Sequence, residues 1–166
     1  ALSGMTSVNI PDSVVKMGDN TFSECPLSSV GLGKGIDAIP NGTFANCHSL
    51  SSITIPAGIT HIGEWAFSGS GLASISLPEG LIHIGKGAFS RCPLASISIP
   101  DTVTHIGEQT FQDCPSLTYV VIPEGVTSIE GYTFWNCPSL GHVSIPESAT
   151  AVGYGALAYC GSLTAL

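Results

Sequence analysis

The chain has 166 residues, of which 43% are hydrophobic and only 10% are charged. Four basic residues against twelve acidic ones give a formal net charge of -8, which argues against binding to nucleic-acid phosphates or to anionic membrane surfaces. The longest uninterrupted aliphatic run, residues 120–122, is far shorter than the roughly 18 to 20 residues that cross a bilayer. The hydropathy therefore predicts an elongated core and no membrane insertion.

A motif of 22 or 23 residues is repeated along the chain. It is complete in residues 94–116, LASISIPDTVTHIGEQTFQDCPS, where aliphatic residues precede Pro100 and a glycine, a phenylalanine and a cysteine follow it. The proline position is occupied in successive copies by Pro11, Gly33, Pro56, Pro78, Pro100, Pro123 and Pro146. Because one copy cannot bury its apolar side chains alone, neighbouring copies must stack, and the periodicity predicts a repeat solenoid.

The repeats extend over nearly the whole sequence, so residues 1–166 are predicted to form one solenoid domain of about seven repeats. Solenoid ends normally carry polar caps that keep them soluble. Neither end of the sequence shows such a cap, and residues 163–166 read as the start of another copy. We therefore expect the chain to be a segment of a longer array.

Each copy opens with alternating polar and apolar residues, as in segment 96–99. A period of two is typical of a strand with one face inward, and stacked copies predict a parallel β-ladder that ends at the proline. A second short extended segment is predicted at residues 103–106, before Gly107. Residues 108–114 are too few for an independent helix, and we expect a single helical turn there that buries Phe111 and Cys114.

The consensus L-x-x-I-x-I-P-x-x-V-x-x-I-G-x-x-A-F-x-x-C is nearly complete in residues 50–70 and 72–92. It resembles the BspA-type leucine-rich repeat, which implies a leucine-rich-repeat-like stack with a parallel β-ladder, short second strands and single helical turns. Members of that family are largely surface or secreted proteins, so the resemblance also implies adhesion to host proteins, matrix or other cells. The sequence departs from the pattern at five positions. Gly33 replaces the proline, Pro40 and Glu130 replace the glycine, Ser70 replaces the cysteine, and Leu157 replaces the phenylalanine.

Six cysteines occupy one position of successive copies: Cys25, Cys47, Cys92, Cys114, Cys137 and Cys160. Their Cα atoms would be about 5 Å apart in adjacent copies, which a disulfide tolerates, but parallel side chains in a core are poorly aimed at one another. Buried free cysteine behaves as a small hydrophobe, so we expect reduced thiols. No C-x-x-C pair indicates zinc.

Three histidines share one position in consecutive copies: His61, His83 and His105. A straight column presents its imidazoles side by side, whereas zinc needs a tetrahedral set of ligands. We interpret the column as an exposed polar ladder, and we expect cross-strand charge pairing in the neighbouring column of Glu64, Lys86 and Glu108. No metal site is predicted.

Catalytic motifs are missing from the sequence, which has no G-x-S-x-G elbow, no H-E-x-x-H and no complete G-x-x-x-x-G-K-[ST] loop. Polar residues that repeat evenly also predict no unique pocket. We therefore expect a protein that is not an enzyme, with no catalytic residue and no cofactor.

The outward face of the predicted strands changes along the array. It carries mostly small hydroxyl residues until the last two copies, where Tyr119, Val121 and His142 occur together. Leucine-rich repeats commonly bind through this face, and aromatic residues are enriched in binding hot spots. These three residues, with Ser96 and Ser98 on the adjoining copy, are the predicted ligand-binding residues. The alternative is that Tyr119 only covers its neighbours in the sheet, where aromatic residues are favoured.

Four other aromatic residues gather in the same two copies outside the core positions: Tyr132, Trp135, Tyr154 and Tyr159. They predict either a second contact patch or the seam on which a following repeat packs, and we favour the seam.

The function predicted is a non-catalytic protein-interaction scaffold, part of a cell-surface or secreted adhesin, with a host extracellular or matrix protein as its partner. The alternative is a carbohydrate-binding repeat domain, in which the hydroxyl face beside Tyr119 forms a shallow platform for a glycan. An ice-binding surface ranks third, because serine suits a regular hydroxyl ladder less well than threonine does.

Overall fold

A computed structural model describes residues 4–165, which wind as a parallel β-solenoid with one repeat in each coil. This architecture confirms the predicted leucine-rich-repeat-like stack. The strands of the described residues are β1 Ser7–Asn9, β2 Ser29–Gly31, β3 Ala38–Ile39, β4 His61–Ile62, β5 His83–Ile84, β6 His105–Ile106, β7 Tyr119–Val121, β8 Ser128–Ile129, β9 His142–Ser144 and β10 Ala151–Val152.

The first ladder lies immediately before the proline position of each coil. In it β1 pairs with β2, and β7 pairs with β9, both in parallel register. Single parallel bridges join the coils between them, linking Thr54 to Ser76, Ser76 to Ser98 and Ser96 to Tyr119. The inward residue of each three-residue strand lies between two outward ones, as the period-two pattern predicts.

A column of phenylalanine rings forms the centre of the core. The six rings of Phe22, Phe44, Phe67, Phe89, Phe111 and Phe134 stack along the solenoid with centroids 5.5 to 5.9 Å apart and interplanar angles of at most 14°. These separations exceed the strand spacing of about 4.8 Å, so the rings are offset, which is a favourable stacked arrangement. Phe111 is fully buried, as predicted.

The segment that follows each second strand is a run of turns, and no helix occurs among residues 4–165. In the coil of Phe111, the backbone is left-handed at Gln109, with φ 59°, and at Asp113, with φ 58°. The N–H groups of Gln109, Phe111 and Asp113 donate to carbonyls of the next coil. The predicted helical turn is therefore wrong, because hydrogen bonds between coils replace those within a helical turn.

The second ladder confirms the predicted short second strands. Strands β3, β4, β5 and β6 form a continuous parallel sheet, and β8 pairs separately with β10. In the part of the chain that the structure describes, no pairing joins β6 to β8. The second ladder is therefore interrupted once, and it begins only at β3.

A glycine after the second strand brings successive coils together. Gly63, Gly85, Gly107 and Gly153 each donate a backbone N–H to an isoleucine carbonyl of the preceding coil, at 2.7 to 2.9 Å. A Cβ on Gly85 would lie 2.7 Å from the backbone nitrogen of Glu64 and 2.7 Å from the carbonyl carbon of Gly63. Only glycine permits so close an approach between two backbones.

Two residues replace this glycine, and they lie where the second ladder starts and where it is interrupted. Pro40 follows β3 and has no N–H with which to bond the preceding coil. Glu130 follows β8 and carries a Cβ where the glycines have none. The departures from the repeat thus coincide with the start and the interruption of the ladder.

Candidate functional site

The predicted binding residues lie on the outward side of the first ladder. Tyr119 stands between Ser96 of the preceding coil and His142 of the following coil, with parallel pairing to both. The rings of Tyr119 and His142 stack at 5.2 Å between centroids with an interplanar angle of 11°. Ser98 is exposed and pairs with Ser76, on the side away from Val121. Tyr119, Val121, His142, Ser96 and Ser98 are called the Tyr119 patch below.

The Tyr119 patch presents apolar and hydrogen-bonding groups side by side. Tyr119 is 47% exposed and Val121 is 45% exposed, so both keep a large surface available although each stands in a strand. The phenol, the imidazole and the serine hydroxyls donate and accept hydrogen bonds. The patch contains no carboxylate and no lysine or arginine.

The histidine column stands on the second ladder. His83 lies between His61, at 5.7 Å between ring centroids, and His105, at 4.5 Å, and all three rings are stacked. Partial burial lowers the pKa of His83, and repulsion from the other two imidazoles lowers it further, while Glu64 opposes this. Burial between two stacked rings thus favours the neutral form of the His83 imidazole.

This depressed pKa predicts a loss of stability in mild acid. The unfolded chain protonates His83 near the ordinary pKa of about 6.5, whereas the folded chain resists protonation. The stabilisation from His83 is complete above the ordinary pKa of about 6.5. It decreases as the pH falls through that pKa towards the lower pKa of His83 in the folded chain. We expect the thermal unfolding midpoint to decrease between about pH 7.5 and pH 5.5, as measured by circular dichroism.

His83→Ser is the matched variant, because Ser128 occupies the same position in another coil. It should show a smaller decrease over the same pH range. An identical decrease in both proteins would contradict the assignment to His83.

The charged column beside the histidines forms the one ion pair among residues 4–165, in which Lys86 Nζ lies 2.8 Å from Glu108 Oε2. The hydrogen bond to Glu108 raises the pKa of Lys86. Cross-strand pairing is thus confirmed for this pair, whereas Glu64 contributes only at longer range. Within the described residues, no three histidine, cysteine, aspartate or glutamate side chains are grouped to hold a metal ion.

A groove of about 660 Å³ crosses the start of the second ladder, and no motif in the sequence indicates it. The histidine column, with His61 and His83, lines one side. On the other side Asn41 donates its N–H to Asp19 Oδ1 at 3.1 Å, and its Oδ1 accepts the N–H of Glu64 at 2.8 Å. These bonds join three coils, so the polar groups of Asp19 and Asn41 stabilise the stacking of the coils.

The cysteine column lies beside the phenylalanine column. All six thiols are free in the structure, and all but Cys160 are buried. Each thiol after the first donates to a phenylalanine carbonyl of an earlier coil, as Cys92 does to Phe67 at 3.1 Å. Burial raises the pKa of Cys92 to about 11 and that of Cys137 to about 12. Thiols so difficult to ionise are poor nucleophiles and poor metal ligands.

The four aromatic residues outside the core positions come together around a second cleft, of about 600 Å³. Tyr132 meets Tyr154 edge to face at 5.5 Å, and Trp135 meets Tyr159 edge to face at 5.2 Å. Gly155 and Ala158 complete the lining. These six residues are called the aromatic cleft below.

Searches against known proteins agree with this geometry. The model of the BspA type leucine-rich repeat region matches in six copies over residues 1–92 and 37–164. No curated protein sequence is significantly similar to the chain. No helix in the described residues is long and apolar enough to span a bilayer.

Several solved structures share the fold. A leucine-rich repeat protein of T. pallidum is 29% identical with a TM-score of 0.89, over 96% of this chain and 78% of that one. A leucine-rich repeat protein of Bacteroides ovatus is 27% identical with a TM-score of 0.76, over 97% of this chain and 48% of that one. A leucine rich cell surface protein of Faecalibacterium prausnitzii is 27% identical with a TM-score of 0.58, over 97% of this chain and 59% of that one.

The chain therefore spans between about half and four fifths of these relatives' lengths. The matched residues include the buried leucine, isoleucine, phenylalanine and cysteine positions of successive coils. With its stacked coils, its glycine-spaced second ladder and its phenylalanine column, this chain belongs to the BspA type leucine-rich repeat family.

Proposed function

We propose that this chain is a non-catalytic, protein-binding segment of a cell-surface or secreted adhesin, and that its partner binds at the Tyr119 patch. The observation that carries the proposal is the position of Tyr119 and Val121, which are half exposed on an otherwise small and polar ladder. A protein partner needs a distinctive contact on a repetitive surface. Tyrosine provides a large contact area and loses little conformational entropy when it is held in place.

The remaining features of the chain support the same class of function. The family consists of repeat scaffolds, and one of the similar structures is a cell surface protein. The partner is proposed to be a host extracellular or matrix protein, since the excess of negative charge disfavours nucleic acids and anionic lipids. A glycan is the alternative ligand for the same patch.

Tyr119→Ala tests the proposal directly. It should weaken binding to a matrix protein by roughly 1 to 3 kcal/mol, as hot-spot truncations do. The affinity is measured by biolayer interferometry on an array of purified matrix proteins, with wild type and variant compared on each protein that binds.

Ser74→Ala is the control, because Ser74 occupies the same outward position two coils earlier. It should leave the affinity unchanged, and circular dichroism should show both variants folded. Equal affinities for the two variants would exclude the Tyr119 patch as the binding surface. Binding to a glycan array, with no binding to any matrix protein, would support the carbohydrate alternative.

A further inference from the structure

The charged residues are distributed unevenly along the chain. All four basic residues lie in residues 1–91: Lys16, Lys34, Lys86 and Arg91. Residues 92–166 contain no lysine or arginine and six carboxylates: Asp101, Glu108, Asp113, Glu124, Glu130 and Glu147. The part of the chain that carries the Tyr119 patch therefore accounts for most of the net negative charge.

Three of these carboxylates lie beside the Tyr119 patch. Asp101, Glu124 and Glu147 are exposed, and each follows the proline that ends the first strand in one of the three coils that form the patch. Val121 and Glu124 are three residues apart, so their Cα atoms are at most about 11 Å apart. This distance is close to the Debye length of about 8 Å at physiological ionic strength. The three carboxylates, called the acidic rim below, therefore act on any charged partner at the patch.

Hydrogen bonds hold the acidic rim in register with the strands. Tyr119 pairs in parallel with both Ser96 and His142. In the turn beyond the strands, Ser148 Oγ donates to the backbone carbonyl of Glu124 at 2.6 Å. Corresponding positions of stacked coils are then about 4.8 Å apart. The rim is thus a column of like charges, and like charges opposite one another are unfavourable.

No basic residue neutralises the rim in the part of the chain that the structure describes. The one ion pair among residues 4–165 joins Lys86 to Glu108, and neither residue belongs to the rim. In the first three coils the same position carries residues whose charges cancel: Asp12, Lys34 and Ala57. The column becomes acidic at Glu79, in the fourth coil, and continues through the rim. Uncompensated charge thus accompanies the patch.

The patch lies on the side of the solenoid, where a further coil would not cover it. Coils stack on Tyr119 from both directions, and the strand of His142 in turn bridges to Ala165. An added coil extends the stack along its axis. The outward surfaces of Tyr119, which is 47% exposed, and of Val121, which is 45% exposed, point away from that axis. Covering them takes a separate molecule.

We propose that the partner of the Tyr119 patch is a protein whose contact surface carries lysine and arginine side chains beside apolar ones. This inference rests on the proposed function and names the chemistry of the partner. The apolar side chains of such a surface pack on Tyr119 and Val121, and its cations neutralise the acidic rim. Complementary charge of this kind accelerates association and disfavours acidic partners.

A glycan satisfies these requirements less completely. Its hydroxyls can form hydrogen bonds with Tyr119 and the serines of the patch. A neutral glycan brings no positive charge, however, and a sulfated or carboxylated one adds to the repulsion within the rim. Arginine, by contrast, both pairs with carboxylates and packs on aromatic rings. It therefore suits the boundary between Tyr119 and the rim.

Selection from a display library of random dodecapeptides on the immobilised chain provides the probe. We expect the selected peptides to be enriched in lysine and arginine relative to the unselected library. One selected peptide is then synthesised for kinetic measurements by biolayer interferometry. Tyr119→Ala should increase its dissociation rate about tenfold or more, in the manner of a hot-spot residue.

A triple variant that neutralises the acidic rim tests the charge requirement. It combines three substitutions of nearly unchanged shape: Asp101→Asn, Glu124→Gln and Glu147→Gln. Association of the selected peptide should slow roughly tenfold at about 0.01 M salt, at the lower end of the range for electrostatic steering. The difference from wild type should nearly vanish at about 1 M salt, where the Debye length is only about 3 Å.

A second triple variant controls for net charge. It removes the same number of charges at exposed positions of the first three coils: Glu24→Gln, Asp37→Asn and Glu64→Gln. Association should stay close to that of wild type, because these residues lie outside the rim. Tyr154→Ala, in the aromatic cleft, should also leave peptide binding unchanged. Circular dichroism should show every variant folded.

Separate results would contradict the charge requirement and the patch itself. Selection without enrichment of lysine and arginine, or equal association rates for the two triple variants, would overturn the basic partner. If Tyr119→Ala still weakened binding, the proposed function of the patch would stand. A basic peptide that bound Tyr119→Ala as tightly as wild type would contradict the patch itself. Loss of binding in Tyr154→Ala would assign the peptide to the aromatic cleft instead.

Discussion

Replacing Phe111 with alanine is expected to destabilise the protein by about 3 to 5 kcal/mol, the cost usual for a buried aromatic residue. Phe111 is fully buried and stacks on Phe89 at 5.9 Å and on Phe134 at 5.5 Å. Its removal leaves a void in the middle of the column and weakens the contacts with both adjacent coils. In a solenoid, stability depends on such contacts between neighbours. Urea unfolding followed by circular dichroism measures the loss.

Phe22→Ala is the matched control, because Phe22 has the same position in its coil but stacks on one ring, that of Phe44, within the described residues. It is also slightly exposed, at 6%. The loss of stability should therefore be clearly smaller than for Phe111→Ala. A Phe111→Ala protein as stable as wild type, or a larger loss in Phe22→Ala, would show that the column does not hold the coils together.

Replacing Gly85 with alanine is expected to cost at least about 1 to 3 kcal/mol, as overpacking does when the surroundings resist movement. The added Cβ would lie 2.7 Å from backbone atoms of Glu64 and Gly63. Backbone atoms in the second ladder cannot rotate away as a side chain could. The coils must separate, which strains the hydrogen bond from Gly85 N–H to the carbonyl of Ile62, now 2.8 Å. Thermal and urea unfolding measure the effect.

Gly80 supplies the control within the same coil. A Cβ there would be 3.6 Å from its nearest neighbour, the carbonyl oxygen of Ala57, which is an ordinary contact. Gly80→Ala should be neutral or should stabilise by about 0.4 to 1 kcal/mol, since alanine restricts the unfolded chain. If the two glycine variants had equal stability, close approach of the coils would not be the reason for glycine at this position.

Much of the fold could be predicted from the repeat alone. The phenylalanine and cysteine positions were expected in the core, and Phe111 and Cys114 are fully buried. The first ladder was expected from the alternation of polar and apolar residues and the second from the short extended segment before the turn glycine, and both exist. The reason is that an apolar residue repeated at one position in every copy has to be buried in every copy, whatever the details of the chain path.

The turns between the ladders could not be predicted in the same way. The left-handed positions hold residues as different as Gly87, Trp65, Arg91 and Tyr132. Local propensity therefore carries no consistent signal there, and a short segment ending in the core suggests a helical turn. Hydrogen bonds to the next coil decide the conformation, and these bonds exist only in the stacked structure.

The candidate sites also differ in whether the sequence or only the tertiary structure reveals them. The sequence by itself determined that Tyr119, Val121 and His142 share the outward face of one ladder, because a strand's alternation and the repeat length assign each residue to a face and a coil. Only the tertiary structure decided that the second ladder begins at the coil of Pro40 and is interrupted before the coil of Glu130, and that Tyr132 and Trp135 line a cleft with Gly155 and Ala158. Those features depend on contacts between coils, because one side chain or one missing N–H group can change the spacing between two neighbouring coils. No single repeat contains that information.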